Sequence, residues 1–159
     1  MRVVERRAVA GFEMYYVSAY SNLRRLAWLL THSDELAEDI TQEALLSVYR
    51  RYDRIDNPDQ YARRVVVNLA KTSHRRAAMH SRKWHLLDRP AHTELGDAEL
   101  ADIVARLSHR QRVVIIGRYW ADWSEAEIAG VLGCRPGTVK SLASRALARI
   151  REELGGTDD

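Results

Sequence analysis

The chain has 159 residues, of which 46% are hydrophobic and 30% charged, and its formal net charge is +3 at pH 7. That apolar content is enough to bury a core and excludes a globally disordered chain. The single cysteine, Cys134, excludes an internal disulfide framework and favours a reducing compartment. The N-terminus lacks the apolar run of a signal peptide, and no apolar stretch approaches the roughly 18 residues of a membrane span. We therefore expect a cytoplasmic protein without membrane insertion.

The first half of the chain has the 3.6-residue period of helices and no convincing strand. A first helix is predicted over about 11–30, and a second from about 33 to 52, with acidic residues in its first turn, where a helix dipole favours them. A third helix opens at Asn57, which suits an N-cap and is followed by Pro58. The buried side of this third helix is expected to hold Tyr61, Val65 and Leu69.

The helical pattern breaks in the middle of the chain, where Pro90 and Gly96 stand among acidic residues. We interpret residues 79–97 as a flexible interdomain linker. It divides the chain into two helical domains, at 1–78 and 98–159.

Two helices close the second domain. The first is short, opens with a capping box at Ser124 and ends at Gly133, and the second runs from Pro136 to about Glu153. A short helix, a glycine-containing turn and a second helix form the layout of a helix-turn-helix. The last helix is therefore the candidate recognition helix.

The exposed face of this last helix has no acidic residue before Glu152. Small polar residues and one long cation share it: Gly137, Thr138, Ser141, Ser144 and Arg145. Flanking cations that can reach phosphates are Lys140, Arg149 and Arg151. Because the major groove of B-DNA admits a helix and small hydroxyl residues permit close approach, we predict that this helix reads DNA. The competing interpretation is an amphipathic surface helix in a bundle.

Two helices of the first domain have faces of opposite charge. The third helix has a mostly basic stripe: Arg64, Asn68, Lys71 and Arg75. Its cations suit a nucleic-acid backbone and its amide suits a base edge, while a solvated basic face is the alternative. The second helix has a mostly acidic face with one apolar residue: Glu35, Asp39, Gln42, Glu43 and Leu46, with Asp53 beyond its end. An acidic face with an apolar centre suits a protein partner rather than DNA.

Four segments of the second domain together resemble region 4 of the extracytoplasmic-function (ECF) group of sigma factors. They read Trp-Ser-Glu-Ala-Glu-Ile-Ala (123–129), Leu-Gly-Cys (132–134), Gly-Thr-Val-Lys-Ser (137–141) and Ser-Arg-Ala (144–146). The resemblance implies that this element reads the −35 promoter element through Arg135, Gly137, Thr138, Lys140, Ser141, Ser144, Arg145 and Arg149. Arg135 stands where the family often has serine, and Leu142 where it often has arginine, so the −35 preference is not copied from relatives.

The first domain is similar to region 2 of the same family. Residues 37–45 resemble region 2.2, which grips the clamp coiled coil of the polymerase β′ subunit. The implied polymerase contacts are Asp39, Gln42, Glu43 and Leu46. Residues 61–71 resemble regions 2.3 and 2.4, where the residue matching Asn68 helps receive a base flipped out of the −10 element. The implied −10 contacts are Arg64, Asn68, Lys71 and Arg75.

The resemblance implies an all-α sigma factor built from two small helical domains: a region 2 bundle of three to four helices and a four-helix region 4 with the helix-turn-helix. The implied partners are core RNA polymerase, through its β′ clamp coiled coil and its β flap, and promoter DNA, with the holoenzyme associated with the nucleoid. An anti-sigma factor is left open as a further partner. The sequence has no metal-ligand spacing and no nucleophile–base pair, so we expect neither a cofactor nor a metal, and not an enzyme.

Two other functions remain open at this point. A polymerase-independent helix-turn-helix regulator would need no acidic docking face and would normally form a dimer. A protein-interaction module could use sigma-like domains only to sequester partners. Binding to core polymerase discriminates the first of these from a sigma factor.

Overall fold

The computed structural model describes residues 3–80 and 98–155, and all regular structure in these residues is helical. They belong to two compact units. The elements of the first unit are α1 (Val3–Thr31), α2 (Asp34–Tyr49), a 3₁₀ turn (Tyr52–Arg54) and α3 (Pro58–His80). Those of the second unit are α4 (Ala98–Arg106), α5 (His109–Ile115) with a π-helical turn (Ile116–Trp120), α6 (Glu125–Leu132) and α7 (Pro136–Gly155). The expected all-α fold is confirmed.

The helix starts of the first unit are set by local side-chain caps. The Ser33 hydroxyl accepts a hydrogen bond from the Leu36 amide (3.2 Å), and the Asn57 carboxamide oxygen accepts one from the Gln60 amide (3.0 Å). Each satisfies an amide that has no partner within the first helical turn. The first helix begins at Val3, earlier than the sequence pattern predicts. The predicted linker lies outside the described residues, apart from positions 79–80, which still belong to α3.

The buried side of α3 differs from the sequence prediction. Tyr61, Val65 and Leu69 are only half-buried. The side chains that are removed from solvent are Ala62, Val66, Val67 and Ala70. Both α1 and α2 pack against α3, so its buried side is turned into the crevice between them. Small and β-branched residues fit that crevice, whereas the larger Tyr61 remains at its rim.

The second unit has its own apolar core and one buried cation. The core cluster consists of Ile103, Val104, Leu107, Ile115, Ala146 and Ile150. The Arg112 guanidinium is 6% exposed and donates to the carbonyl groups of Ala105 (2.7 Å) and Leu107 (3.1 Å), at the end of α4. Burial lowers the pKa of Arg112. The carbonyls offset part of this effect because they accept its hydrogen bonds at a helix C-terminus, which favours a cation.

Of the helices in residues 3–80 and 98–155, none has an apolar stretch with the length that a bilayer crossing requires.

Candidate nucleic-acid interface

The turn before α7 is built from the residues that the sequence pattern singled out. A capping box opens α6: the Ser124 hydroxyl accepts from the Glu127 amide (3.1 Å), and the Glu127 carboxylate accepts from the Ser124 amide (2.7 Å). Gly133 ends α6 with φ of +63°, a left-handed conformation that glycine adopts without a β-carbon clash. The Arg135 carbonyl then accepts the Thr138 amide (2.9 Å), so backbone rather than a side-chain hydroxyl starts α7.

The predicted DNA-reading face of α7 is turned away from the core. The opposite side of the helix is buried through Val139, Ala143, Ala146 and Ile150. Exposed residues on the predicted face are Gly137, Ser141, Ser144 and Arg145, while Thr138 is half-buried. A β-carbon at Gly137 would meet no atom within 4 Å, so this end of the helix is open to an approaching molecule. The face offers short hydroxyl groups and one guanidinium to that molecule.

The cations around this face differ in how firmly carboxylates hold them. Lys140 Nζ lies 3.8 Å from Glu125 Oε1, and Arg149 Nε donates to Glu153 Oε1 at 3.2 Å. Glu153 also accepts from Arg106, and these hydrogen bonds, the one from Arg106 first, lower the pKa of Glu153. Among the described residues Arg145 has no carboxylate partner. Arg145 can therefore turn to a base without breaking an ion pair.

The basic stripe of the first unit lies along the outer side of α3. Arg64, Asn68 and Lys71 are exposed and follow one another at helical spacing. The Asn68 backbone carbonyl accepts a hydrogen bond from the Thr72 hydroxyl (3.2 Å). The backbone of Arg75 is part of α3, but the structure does not describe its side chain.

One feature near this stripe was missed by sequence reasoning. The Arg51 guanidinium donates to the Tyr61 hydroxyl (2.8 Å) and its central carbon lies 5.9 Å from the centre of that ring. The two residues are ten positions apart and belong to different elements, so no local pattern could have paired them. The contact orients the only aromatic side chain that the described part of α3 contains.

The predicted polymerase-docking face lies on α2. Asp39, Gln42, Glu43 and Leu46 are all exposed, and Leu46 is 41% exposed. Beside this face, Glu38 accepts hydrogen bonds from Tyr20 (2.6 Å) and Gln42 (3.0 Å). The hydrogen bond from Tyr20 and then that from Gln42 lower the pKa of Glu38. This network fixes α2 against α1.

An exposed aromatic extends the apolar part of that face. Tyr49 is 51% exposed and lies three residues after Leu46 on α2. Its ring packs edge-on against Phe12 at a centroid distance of 5.0 Å. Tyr49 was not predicted from the sequence, although its helical spacing from Leu46 was a signal. Together the two residues form an apolar centre bordered by Asp39, Gln42 and Glu43.

Within the described residues, no group of three or more His, Cys, Asp or Glu side chains is placed to share a metal ion.

Comparisons with known proteins agree on the class to which both units belong. Residues 14–79 match the family model "Sigma-70 region 2", and residues 97–150 match "Sigma-70, region 4". The chain is 35% identical to the RNA polymerase sigma-E factor of Streptomyces avermitilis, with 94% of this chain and 88% of the relative covered. It is 32% identical to the ECF RNA polymerase sigma factor SigM of Mycobacterium tuberculosis, over 91% of this chain and 78% of the relative.

Two solved structures have the same fold. The sigma factor RpoE of Bartonella quintana, in complex with the anti-sigma factor NepR, gives a TM-score of 0.74 at 22% identity, over 91% of this chain and 97% of that one. The structure of CnrH in complex with the cytosolic domain of CnrY gives 0.69 at 20% identity, over 96% and 95%.

The fold and the family matches define a sigma factor of the sigma-70 class. The chain belongs to the ECF group of RNA polymerase sigma factors, of the actinobacterial type. Its function is that of a sigma factor, which acts with core RNA polymerase and directs it to promoters. The alternative of a polymerase-independent regulator is not favoured.

Proposed function

We propose that this sigma factor reads the −35 element with α7. The observation that supports the proposal is the outer face of this helix, which has no acidic residue before Glu152. Arg145 reads a base edge, because it is exposed and has no carboxylate partner among the described residues. Gly137, Ser141 and Ser144 allow the helix to approach the groove closely. The remaining contacts are to the backbone and come from Arg135, Thr138, Lys140 and Arg149.

The −10 element is read by α3 in this proposal. Asn68 receives a base flipped out of the duplex, while Arg64, Lys71 and Arg75 hold the phosphates around it. Exposure of Arg64, Asn68 and Lys71 along one side of α3 supports this assignment. Tyr61, held by Arg51, is the aromatic surface nearest in sequence to this stripe on which a base could stack.

Core polymerase docks on α2 in this proposal, through its β′ clamp coiled coil. Leu46 and Tyr49 fill an apolar site on the partner, and Asp39, Gln42 and Glu43 pair with polar or basic groups around it. An apolar centre with a polar border is the usual arrangement of an energetic interface. The exposure of Leu46 and Tyr49 on one helix supports this assignment. The second unit would bind the β flap.

Start-site mapping of run-off transcripts tests the proposed function. Purified chain is added to actinobacterial core polymerase on fragmented genomic DNA, and transcripts are mapped to their start sites. We expect new start sites that share −10 and −35 elements and that depend on the added chain. A complex with core that yields no promoter-specific transcript would contradict the proposal.

A variant pair tests the docking surface in the same system. Leu46→Ser should weaken binding to core polymerase by roughly tenfold, as expected for an apolar residue at the centre of an interface. Val17→Ser is the matched control, because Val17 is 79% exposed on α1 and lies outside the proposed surface. Equal binding by the two variants would place the polymerase contact elsewhere.

We further propose that the chain is a non-catalytic cytoplasmic subunit that reaches the nucleoid only as part of holoenzyme. The solved structures of RpoE and CnrH are complexes, with NepR and with the cytosolic domain of CnrY. We therefore expect that affinity capture with this chain as the bait can identify an anti-sigma factor.

A further inference from the structure

The Gln42 side chain on α2 is held at one end of its carboxamide and open at the other. The carboxamide nitrogen donates to Glu38 Oε1 at 3.0 Å and to the Tyr16 hydroxyl at 3.5 Å. Because a carboxamide has two N–H donors and one oxygen, these two contacts account for both donors. Among the residues that the structure describes, none donates to the Gln42 oxygen.

The chemistry of Glu38 decides which end of this amide is held. The hydrogen bonds from Tyr20 and then from Gln42 keep the pKa of Glu38 below its ordinary value, so its carboxyl group is ionised at neutral pH. An ionised carboxylate only accepts hydrogen bonds, so it takes the N–H groups of Gln42 and not the oxygen. A reversed amide would place two acceptors against each other. The Gln42 oxygen therefore faces outward.

Glu38 is itself fixed by two side chains of α1. Its Oε2 accepts hydrogen bonds from the Tyr20 hydroxyl (2.6 Å) and from Arg24 Nε (3.2 Å), while its Oε1 accepts from Gln42. Hydrogen bonds that involve an ionised group are short and strong, so three of them hold the half-buried carboxylate in one orientation. The orientation of the Gln42 amide is therefore set from α1, through Glu38.

Gln42 lies beside the apolar centre of the proposed docking face. It is exposed and precedes Leu46 by four residues, so the two side chains are neighbours on the same side of α2. The exposed carboxylates of Asp39 and Glu43 border the same face and are acceptors. With the Gln42 oxygen outward, all three polar side chains of this border present acceptors. A matching partner surface carries N–H donors around an apolar site.

We propose that Glu38 is a positioning residue for polymerase docking, which holds the Gln42 oxygen outward to accept a hydrogen bond from an N–H donor of core polymerase. The proposal rests on the proposed function, since it takes α2 to be the docking surface. Glu38 acts through Gln42 and need not touch the polymerase. A side chain that is oriented before binding loses less conformational freedom when the complex forms. The alternative is a purely structural role for Glu38 in packing α1 against α2.

The experiment is a double-mutant cycle on the affinity of the full chain for core polymerase. Glu38→Gln replaces the carboxylate with a group that both donates and accepts, so it no longer selects one orientation of the Gln42 amide. This variant should bind core roughly fivefold more weakly, as expected for the loss of one hydrogen bond. Gln42→Met keeps a side chain of similar length without the amide. In the Gln42→Met background, Glu38→Gln should cause no further loss.

Asp34→Asn is the matched control. It removes the same charge and the other carboxylate that pairs with Arg24 (3.0 Å), but Asp34 lies eight residues before Gln42 on α2. This control should bind core as tightly as wild type. A second measurement needs no polymerase: the side-chain amide protons of Gln42 are assigned in NMR spectra of the free chain by their absence from Gln42→Met. Glu38→Gln should move these resonances towards those of a free carboxamide, and Asp34→Asn should leave them in place.

Two results would overturn the inference. One is an equal loss of core affinity from Glu38→Gln in the wild-type and Gln42→Met backgrounds, which would assign Glu38 a purely structural role. The other is wild-type core affinity for Glu38→Gln. Failure of the proposed docking surface would be visible separately, since Leu46→Ser and Gln42→Met would then both bind core like wild type.

Discussion

Gly117 and Trp123 are in such close contact that the structure leaves no room for a side chain at position 117. An ideal β-carbon there would lie 2.6 Å from Cε3 of the Trp123 indole. The backbones are also joined, because the Trp123 amide donates to the Gly117 carbonyl at 2.7 Å. This contact fixes the π-helical turn against the segment that opens the helix-turn-helix.

Replacing Gly117 with alanine should therefore destabilise the second unit. The new methyl group would also lie 3.2 Å from Cγ1 of buried Ile128, so neither neighbour can move freely, and overpacking of this kind costs about 1–3 kcal/mol. Urea unfolding of the full chain, followed by tryptophan fluorescence, measures the loss. Gly137→Ala is the control, because its β-carbon would meet no atom within 4 Å. A stability of Gly117→Ala equal to that control would contradict the close contact.

The Arg112 guanidinium should be as important as an apolar core residue. Arg112→Met fills a similar volume but leaves the Ala105 and Leu107 carbonyls without their donor, and we expect a loss of about 3 kcal/mol. Arg110→Met, at an exposed position of α5, should change stability by less than about 0.5 kcal/mol. Chemical denaturation of both variants checks this, and equal midpoints would show that the buried cation is dispensable.

The first unit should lose stability in acid partly through Glu38. The hydrogen bonds from Tyr20 and Gln42 hold the pKa of folded Glu38 below its usual value of 4.5. Because its pKa is lower in the folded state, Glu38 stabilises the protein at pH values above its unfolded-state pKa. This stabilisation is lost as the pH falls through its folded-state pKa. Glu38→Gln should therefore flatten the decline in stability below about pH 4.5. Glu43→Gln, on the same helix, should keep the wild-type decline, and an unchanged curve for Glu38→Gln would contradict the network.

Arg145→Ala should change which −35 sequences are used. Loss of a guanidinium contact to a base edge costs about 1–3 kcal/mol and relaxes specificity at the base pair concerned. Run-off transcription from a promoter library with a randomised −35 element gives the preference of each variant. Arg110→Ala serves as the control at an exposed position outside α7. The same library profile for Arg145→Ala and wild type would remove Arg145 from base reading.

Asn68→Ala should impair open-complex formation more than initial binding. The amide is expected to recover a few kcal/mol of lost base stacking, so its removal should slow strand opening by roughly tenfold or more. Permanganate footprinting reports open complexes, and filter binding at low temperature reports closed ones. Asn22→Ala, an exposed asparagine of α1, is the matched control. Equal losses in the two assays would contradict the flipped-base role.

Several parts of the fold could be read from short stretches of sequence because their interactions are short in range. The caps at Asn57 and Ser124 join groups three residues apart, and each was visible as a polar residue before a helical pattern. Gly133 was visible for the same reason, since a left-handed residue at a helix end is usually glycine. The outward face of α7 followed from its period, because one side of that helix is clearly apolar.

Other parts depended on which elements meet. The third helix has apolar residues on more than one side, and only its position against both α1 and α2 selected Val66 and Val67 rather than Val65. The pairing of Arg51 with Tyr61 and the burial of Arg112 likewise join separate elements. No local period encodes such contacts.

The sequence by itself determined the helical class, the caps, the turn at Gly133 and the face of α7 that is offered to DNA, because these depend on interactions within one or two helical turns. Only the tertiary structure decided that Arg118, from the π-helical turn, lies beside Lys140 and Arg151 of α7. The contact of Gly117 with Trp123 holds that turn against the segment that precedes α6. That convergence requires packing between elements far apart in sequence, which a local pattern cannot specify.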